Sequence, residues 1–362
     1  MRKSLLASTA LVGAAALLAA PAAAEVKVSA FAQFHASALD EDLATTAGTQ
    51  DFDFTTNTEV NFSGSHELDN GLTFGFQVQL EADVGRGRHT HVETGTTTAE
   101  GGTAIIDEND VWVSGSFGKI VFGNQDGAAD SMMVQGSAVG VGFGSIGNPT
   151  FTGVTSVTNS APTSSDVADS GDAIKITYYT PRFSGIQAGV SYAPDLDSGS
   201  DSSPAGTWDG GPGTGLEDFV ELGLNYVETI NGVGIKAAVV GVFADSPGTA
   251  DRSGFGVGLK LDFSGFSIAA GYAETEDDDG TRDEKSFDVG VGYTTGPWTV
   301  ALGAIWSEDE DVNDEWELYA ATVNYVIGPG LAVYGTITAG TADNNGVDND
   351  FTVFTTGIKA SF

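Results

Sequence analysis

Apolar and polar residues alternate along most of this chain with a period of two. Between Ser253 and Glu274, one set of alternate positions reads Phe255, Val257, Leu259, Leu261, Phe263, and the set between them reads Gly254, Gly256, Gly258, Lys260, Asp262. That period predicts a strand with one greasy face. After the Ser264-Gly265 step it restarts, with Phe266, Ile268, Ala270 and Tyr272 on one face and Ser267, Ala269, Gly271 and Ala273 on the other. The two halves therefore form a hairpin.

The same period marks sixteen segments: 26–39, 52–65, 72–84, 111–116, 119–125, 174–181, 185–193, 219–229, 233–243, 254–263, 266–273, 286–293, 298–306, 317–327, 331–339 and 351–362. Connections alternate in length. The short ones, such as Leu68-Asp69-Asn70-Gly71, Ile230-Asn231-Gly232 and Gly328-Pro329-Gly330, have hairpin-turn chemistry. The long ones, 40–51, 85–110, 126–173, 194–218, 244–252, 275–285, 307–316 and 341–350, collect most of the Asp, Glu, Thr, Ser and Gly. A soluble sandwich also alternates, but has no reason to segregate its loops to one end. A barrel inserted from one side of a membrane does. An even strand count and segments of about 10 residues match a tilted span. Tyr192, Tyr226, Tyr272, Tyr293, Tyr325, Trp298 and Trp306 lie near strand ends on the greasy face, where interfacial girdles sit. The fold expected is all-β, a transmembrane antiparallel up-and-down β-barrel of about sixteen strands.

The amino terminus changes the compartment. Met1-Arg2-Lys3, an apolar run from Leu5 to Leu18, and Pro21-Ala22-Ala23-Ala24 have the form of a secretory signal peptide over 1–24, cleaved between Ala24 and Glu25. The domain expected after it is 25–362. The chain carries 14 basic and 50 acidic side chains, a formal net charge of −36, and removal of the leader takes away two more positive charges. Such a surface repels nucleic acid and favours cations. With no cysteine the fold needs an extensive hydrogen-bonded sheet or a large core.

The residues resemble a known family, the trimeric general diffusion porins of the Gram-negative outer membrane. The resemblance spans nearly the whole chain after the leader. Its most specific parts are Val26-Lys27-Val28-Ser29-Ala30-Phe31, Asp69-Asn70-Gly71-Leu72, the run from Gly118 to Ala128, Tyr179-Thr180-Pro181-Arg182-Phe183-Ser184-Gly185, and the terminal Phe362. It implies a homotrimer in contact with outer-membrane lipid and lipopolysaccharide, and Phe362 as part of the signal read by the assembly machinery. It also implies that the longest connection, 126–173, is a third loop folded inward to narrow the pore. That loop carries Met132, Met133, Val134, Val139, Val141, Phe143, Ile146 and Phe151, which need a wall to pack against. Asp126 and Asp130 are its candidates for lining the constriction. By the same resemblance a basic wall opposes them, with Lys27, His35, Lys175, Lys236, Lys260, Arg86 and Arg88 as candidates. The chain departs from the family in having few arginines in its early strands.

The function implied is passive diffusion of small hydrophilic solutes and ions with a mild cation preference, needing no cofactor and no reaction chemistry. A substrate-specific porin and an outer-membrane barrel enzyme are the alternatives. His35, His66, His89 and His91 keep the enzyme open, but no nucleophile motif supports it. Gly142-Phe143-Gly144-Ser145-Ile146-Gly147 matches a dinucleotide fingerprint in letters but lacks the strand, helix and acidic residue that chemistry needs. The clusters 274–279 and 308–311 lack the Gly and Glu positions of an EF-hand, and are expected at most to bind calcium loosely.

Overall fold

The computed structural model describes residues 25–42, 52–81, 105–139, 162, 164–196, 216–246 and 250–362. The leader, Arg86, Arg88, His89, His91, Val141, residues 142–147 and Phe151 lie outside them. Sixteen strands follow in chain order. The first eight are β1 (Glu25–Glu41), β2 (Phe52–Glu67), β3 (Thr73–Glu81), β4 (Ile105–Gly115), β5 (Gly118–Asn124), β6 (Ile174–Tyr179), β7 (Ile186–Asp195) and β8 (Glu217–Ile230). The second eight are β9 (Val233–Asp245), β10 (Arg252–Phe263), β11 (Phe266–Asp277), β12 (Arg282–Thr295), β13 (Trp298–Asp309), β14 (Asp314–Gly328), β15 (Leu331–Asn344) and β16 (Val347–Ser361). Each pairs antiparallel with its chain neighbours, and β1 pairs with β16, from Phe31 opposite Ser361 to Glu41 opposite Phe351, so the sheet closes on itself. Ala30 and Phe362 exchange the last backbone hydrogen bonds of that seam, at 3.2 and 2.9 Å.

The period of two maps directly onto inside and outside. The row Trp298, Val300, Leu302, Trp306 is exposed, as are Phe255, Val257 and Leu259, while Gly256 beside them is buried against the interior. Leu302 is 58 % and Phe354 51 % exposed, which a sandwich packing its greasy faces together would not leave. Such an outer surface suits hydrocarbon, and a closed ladder is the way a sheet satisfies its backbone there.

Three of the long connections differ from the expectation. The β11–β12, β13–β14 and β15–β16 hairpins continue as paired strands almost to their tips, Asp277 standing opposite Arg282, Asp309 opposite Asp314, and Asn344 opposite Val347. Hydrophobic periodicity cannot announce these extensions, because apart from the inward Trp316 and Ala342 both of their faces are mostly polar. The Asn345-Gly346 turn, with φ of 52° and 82°, is the local signal that was available. β4 likewise begins six residues earlier than its alternation indicates, at Ile105, where a register shift opposite Val78 and Leu80 breaks the period.

One quadrant of the interior is apolar. Leu39, Ile305, Trp316, Leu318, Phe351 and Val353 point inward from β1, β13, β14 and β16 and bury one another, with Trp316 and Phe351 ring to ring at 5.8 Å.

Candidate functional site

The segment after β5 folds inside the barrel. It opens with a short helix, α1 (Ala128–Met132), and a single 3-10 turn over Gly136–Val139, and returns along 164–173 to β6. α1 contacts β7, β8 and β9, and the 3-10 turn contacts β11, β12 and β13. Ala129 and Met132 pack with Phe219, Val240 and Val242 of the wall, and Val139 packs with Ala269 and Ala301. The wall residues beneath are small for a steric reason. A Cβ on Gly258 would stand 1.7 Å from the Val134 carbonyl oxygen, and one on Gly290 would stand 2.4 Å from that of Gly136.

Two fully buried carboxylates of the wall clamp this segment. α1 has no side-chain cap of its own, since Gly127 holds the N-cap position. The wall caps it instead: Ala128 N–H donates to Ser191 Oγ at 2.7 Å and Ala129 N–H to Glu221 Oε2 at 2.9 Å. Glu221 also accepts from the Ser170 N–H at 3.2 Å and from the Ser170 hydroxyl, so one side chain holds the outgoing and the returning leg. Asp288 repeats the arrangement, accepting from Gly136 N–H at 2.8 Å, Ser137 N–H at 3.1 Å and the Ser165 hydroxyl at 2.6 Å. Lys175 ties the two ends, its ammonium donating to the Gln125 and Gly171 carbonyls. Neither carboxylate was singled out by sequence reasoning. Each sits at a small or polar interior position, and that much was legible.

Two groups of carboxylates gather on the loop. Glu108 of β4, Asp126 and Asp172 bring oxygens within 4.8 Å of one another, as do Asp130, Asp166 and Asp169. These are hard oxygen donors of the kind calcium takes. Gln77 Nε2 donates to Glu108 at 3.2 Å, and Gln79 donates to the same oxygen. Burial raises the Asp130 carboxyl well above the ordinary carboxylate range, helped by the charges of Asp166 and Asp126 and by its hydrogen bond to Asp166. Burial likewise pushes Asp169 up to about 7.

The other candidates fall in different places. Asp126 is exposed to the interior and Asp130 half-buried in its trio. His35 faces inward but is buried, its Nδ1 bonded to the Tyr334 hydroxyl. Lys27 and Lys236 face inward near the tight-turn ends of β1 and β9, away from the level of the loop. Lys175 is buried as a tie and Arg86 lies outside the described residues. Of the outer acidic clusters, Asp277 is held by Arg252 at 2.7 Å and Arg282 at 3.8 Å, and Glu310 by Lys285.

A closed barrel of sixteen antiparallel strands, greasy outside, with a loop pinned across its interior, defines a membrane channel. A profile for Gram-negative porins matches residues 7–345, and the chain belongs to that family of outer-membrane proteins. No curated protein matches it in sequence. Among solved structures it resembles a porin refined at 1.8 Å (20 % identity, TM-score 0.61, 93 % of this chain and 100 % of that one). It also resembles an anion-selective porin from Comamonas acidovorans (16 %, 0.62, 94 % and 100 %). A third is a loop-L8 deletion variant of OmpT, an outer-membrane protein of Vibrio cholerae (16 %, 0.61, 94 % and 99 %). At these identities the likeness is one of fold.

Truncating both clamps, Glu221→Ala with Asp288→Ala, is expected to release the loop while the barrel persists, since each hydrogen bond to a carboxylate contributes about 1.5–3 kcal/mol. Single-channel conductance should rise, and an unchanged value would argue against the clamp. A second expectation concerns pH. A carboxyl whose folded pKa is raised stabilises the folded state while protonated and loses that contribution as pH rises through the folded value. Docking of the loop should therefore be firmest in acid and weaken as pH climbs through about 7, the value for Asp169. Intrinsic-rate-corrected hydrogen exchange of the amides of 127–139 on the two sides of that pH checks it.

Proposed function

We propose that the barrel is a general diffusion pore for small hydrophilic solutes and ions, with a mild preference for cations. The observation that carries this is the charge at loop level. Glu59 of β2, Asp107 and Glu108 of β4, and Asp126 and Asp172 of the loop neighbour one another, with Lys359 the cation felt by Glu59. Acidic rings attract cations and repel anions where the path is narrow. Asp126 and Asp130 are the constriction residues under this reading, whereas Lys27 and Lys236 lie toward the tight-turn end and His35 is buried against Tyr334. One structural neighbour is described as anion-selective, and the acidic loop region here favours the opposite preference.

No catalytic role follows from the two histidines among the described residues. His35 is tied to Tyr334, and His66 packs edge-on to Phe74 on the outer face at 5.7 Å. A substrate-specific channel would place an aromatic ladder or arginine cluster along its path. Among the described residues the inward arginines are Arg252 and Arg282, both paired with acids.

A homotrimer is the assembly supported by the outer surface. Outward-facing Tyr and Trp among the described residues, Tyr178, Tyr192, Tyr226, Tyr272, Tyr293, Trp298, Trp306, Tyr319 and Tyr325, all lie on β6 to β14. The arc from β15 through β16 to β5 shows Phe34, Phe52, Phe54 and Phe354 beside the small Ala36, Ala38, Gly335 and Thr356, with no outward Tyr or Trp among the described residues. A face that meets protein needs no interfacial girdle. Chemical cross-linking in mild detergent should resolve three copies, and Ala36→Arg should shift the protein toward one.

Liposomes containing the protein should swell in sugars up to a size limit and show no preference among isomers of one size. In a potassium chloride gradient the reversal potential should have the sign of cation selectivity. Clear anion selectivity would falsify the charge reading, and saturable uptake of one sugar would favour a specific channel.

A further inference from the structure

Among the described residues the cationic side chains open to the lumen gather at one end of the barrel axis, while Lys175, at the level of the loop, is buried as its tie. Lys27 of β1, Lys119 of β5, Lys236 of β9, Lys260 of β10 and Lys359 of β16 share the inward phase of their strands. Each lies within four residues of its strand's tight-turn end. Arg182 sits in the β6–β7 turn at the same end. Lys236 and Lys260 are direct cross-strand partners, an arrangement of like charges that a sheet ordinarily avoids. Lys119 stands over the Trp112 ring at 5.1 Å and Lys359 over Phe31 at 4.4 Å, contacts that hold the ammonium groups without neutralising them. The acids on this side include Asp262, 3.7 Å from Lys260, Glu67 and Asp69 at the β2–β3 turn, Glu25 at the start of β1 and Glu228 in the outward phase of β8, and Asp110 of β4 feels Lys119.

Charge changes sign just above this collar. Lys260 lies two residues from Gly258, on which the loop rests, and the loop brings the exposed Asp126 and the partly exposed Asp172 beside Asp107 and Glu108 of β4. Beyond it, toward the long-loop end, Arg252 and Arg282 are taken up by Asp277 and Glu284. An ion crossing the lumen thus meets an acidic zone and a basic collar in series.

Resting on the diffusion-pore reading, we infer that this channel rectifies ionic current, and that the lysine collar sets the direction. Under one polarity cations enter through the acidic zone and anions through the basic one. Each ion is attracted by the zone it enters, both accumulate inside, and conductance is high. Under the other polarity both are drawn out of the lumen and conductance falls. The conducting direction is the one with the tight-turn side negative. Short turns face the periplasm in such barrels, so cations pass inward more readily than outward.

Single channels in a planar bilayer test this. The chain has no cysteine, so Val312→Cys in the exposed β13–β14 turn, labelled from one side with an impermeant maleimide, reports orientation. In about 0.1 M potassium chloride, where the screening length is about 10 Å, conductance should be about 1.5-fold higher with the tight-turn side negative. At about 1 M, where that length is about 3 Å, the ratio should approach one. The combined Lys27→Gln, Lys236→Gln, Lys260→Gln, Lys359→Gln variant should lower the ratio at low salt, whereas Lys285→Gln, on the outer face, should leave it alone. A symmetric or oppositely directed response of the unaltered channel overturns the inference, and a ratio indifferent to the four substitutions overturns the role of the collar. Absence of any conductance removes instead the pore reading beneath it.

Discussion

The constraint on which this molecule depends is that a backbone within hydrocarbon has no water to satisfy its N–H and C=O groups. Sixteen strands meet it by pairing in sequence and then pairing the first with the last. The seam is long, from Phe31 opposite Ser361 to Glu41 opposite Phe351, and Ala30 and Phe362 extend it by one more exchange. Without that seam β1 and β16 would each expose a row of unpaired groups to lipid. Closure also separates two surfaces that alternate residue by residue, so a single period in the sequence specifies a greasy exterior and a polar lumen together.

That lumen is where the remaining polar chemistry is used. Burying Glu221 and Asp288 would be costly if they stood alone, because an ionised carboxylate loses its hydration. Each recovers it from donors of the loop, backbone N–H groups and hydroxyls at 2.6 to 3.2 Å, and Lys175 lies near Glu221. The loop in turn has donors that need acceptors, including those at the uncapped start of α1. Wall and loop complete one another, which is a better basis for a fixed constriction than apolar contact alone, since apolar contact is non-directional.

How much of this was legible in the sequence depends on the residue. Phe255 to Phe263 and Phe266 to Tyr272 announced their strands because one face meets hydrocarbon. The strand extensions from Asp277, Asp309 and Asn344 did not, because beyond the membrane both faces are wet and the period carries no contrast. In β14, Trp316, Leu318 and Ala320 point inward while Tyr319, Ala321 and Val323 point outward, so apolar residues occupy both phases and the choice of face needed the structure. Gly256, Gly258 and Gly290 were visible as small interior positions, yet only the loop lying on them shows why no Cβ is allowed. Glu221 and Asp288 looked like ordinary lumen acids. Their role depends on loop partners 51 to 152 residues away in sequence, a separation that no local pattern encodes.

The same loop carries a conflict that its clamps must overcome. Asp130, Asp166 and Asp169 stand close together in a partly buried pocket, and three negative charges there would repel one another and lack hydration. Raised affinity for protons is how the site relieves this, and the hydrogen bond between Asp130 and Asp166 is the structural form that relief takes. Acid therefore tightens the trio, and alkali leaves it held against its own repulsion by Glu221, Asp288 and Lys175. A loop packed only through Met132, Val134 and Val139 would have no directional bonds to set against that repulsion. The clamps and the acidic trio are then two parts of one arrangement, in which carboxyls that repel when ionised stay together because the wall fixes the loop that bears them.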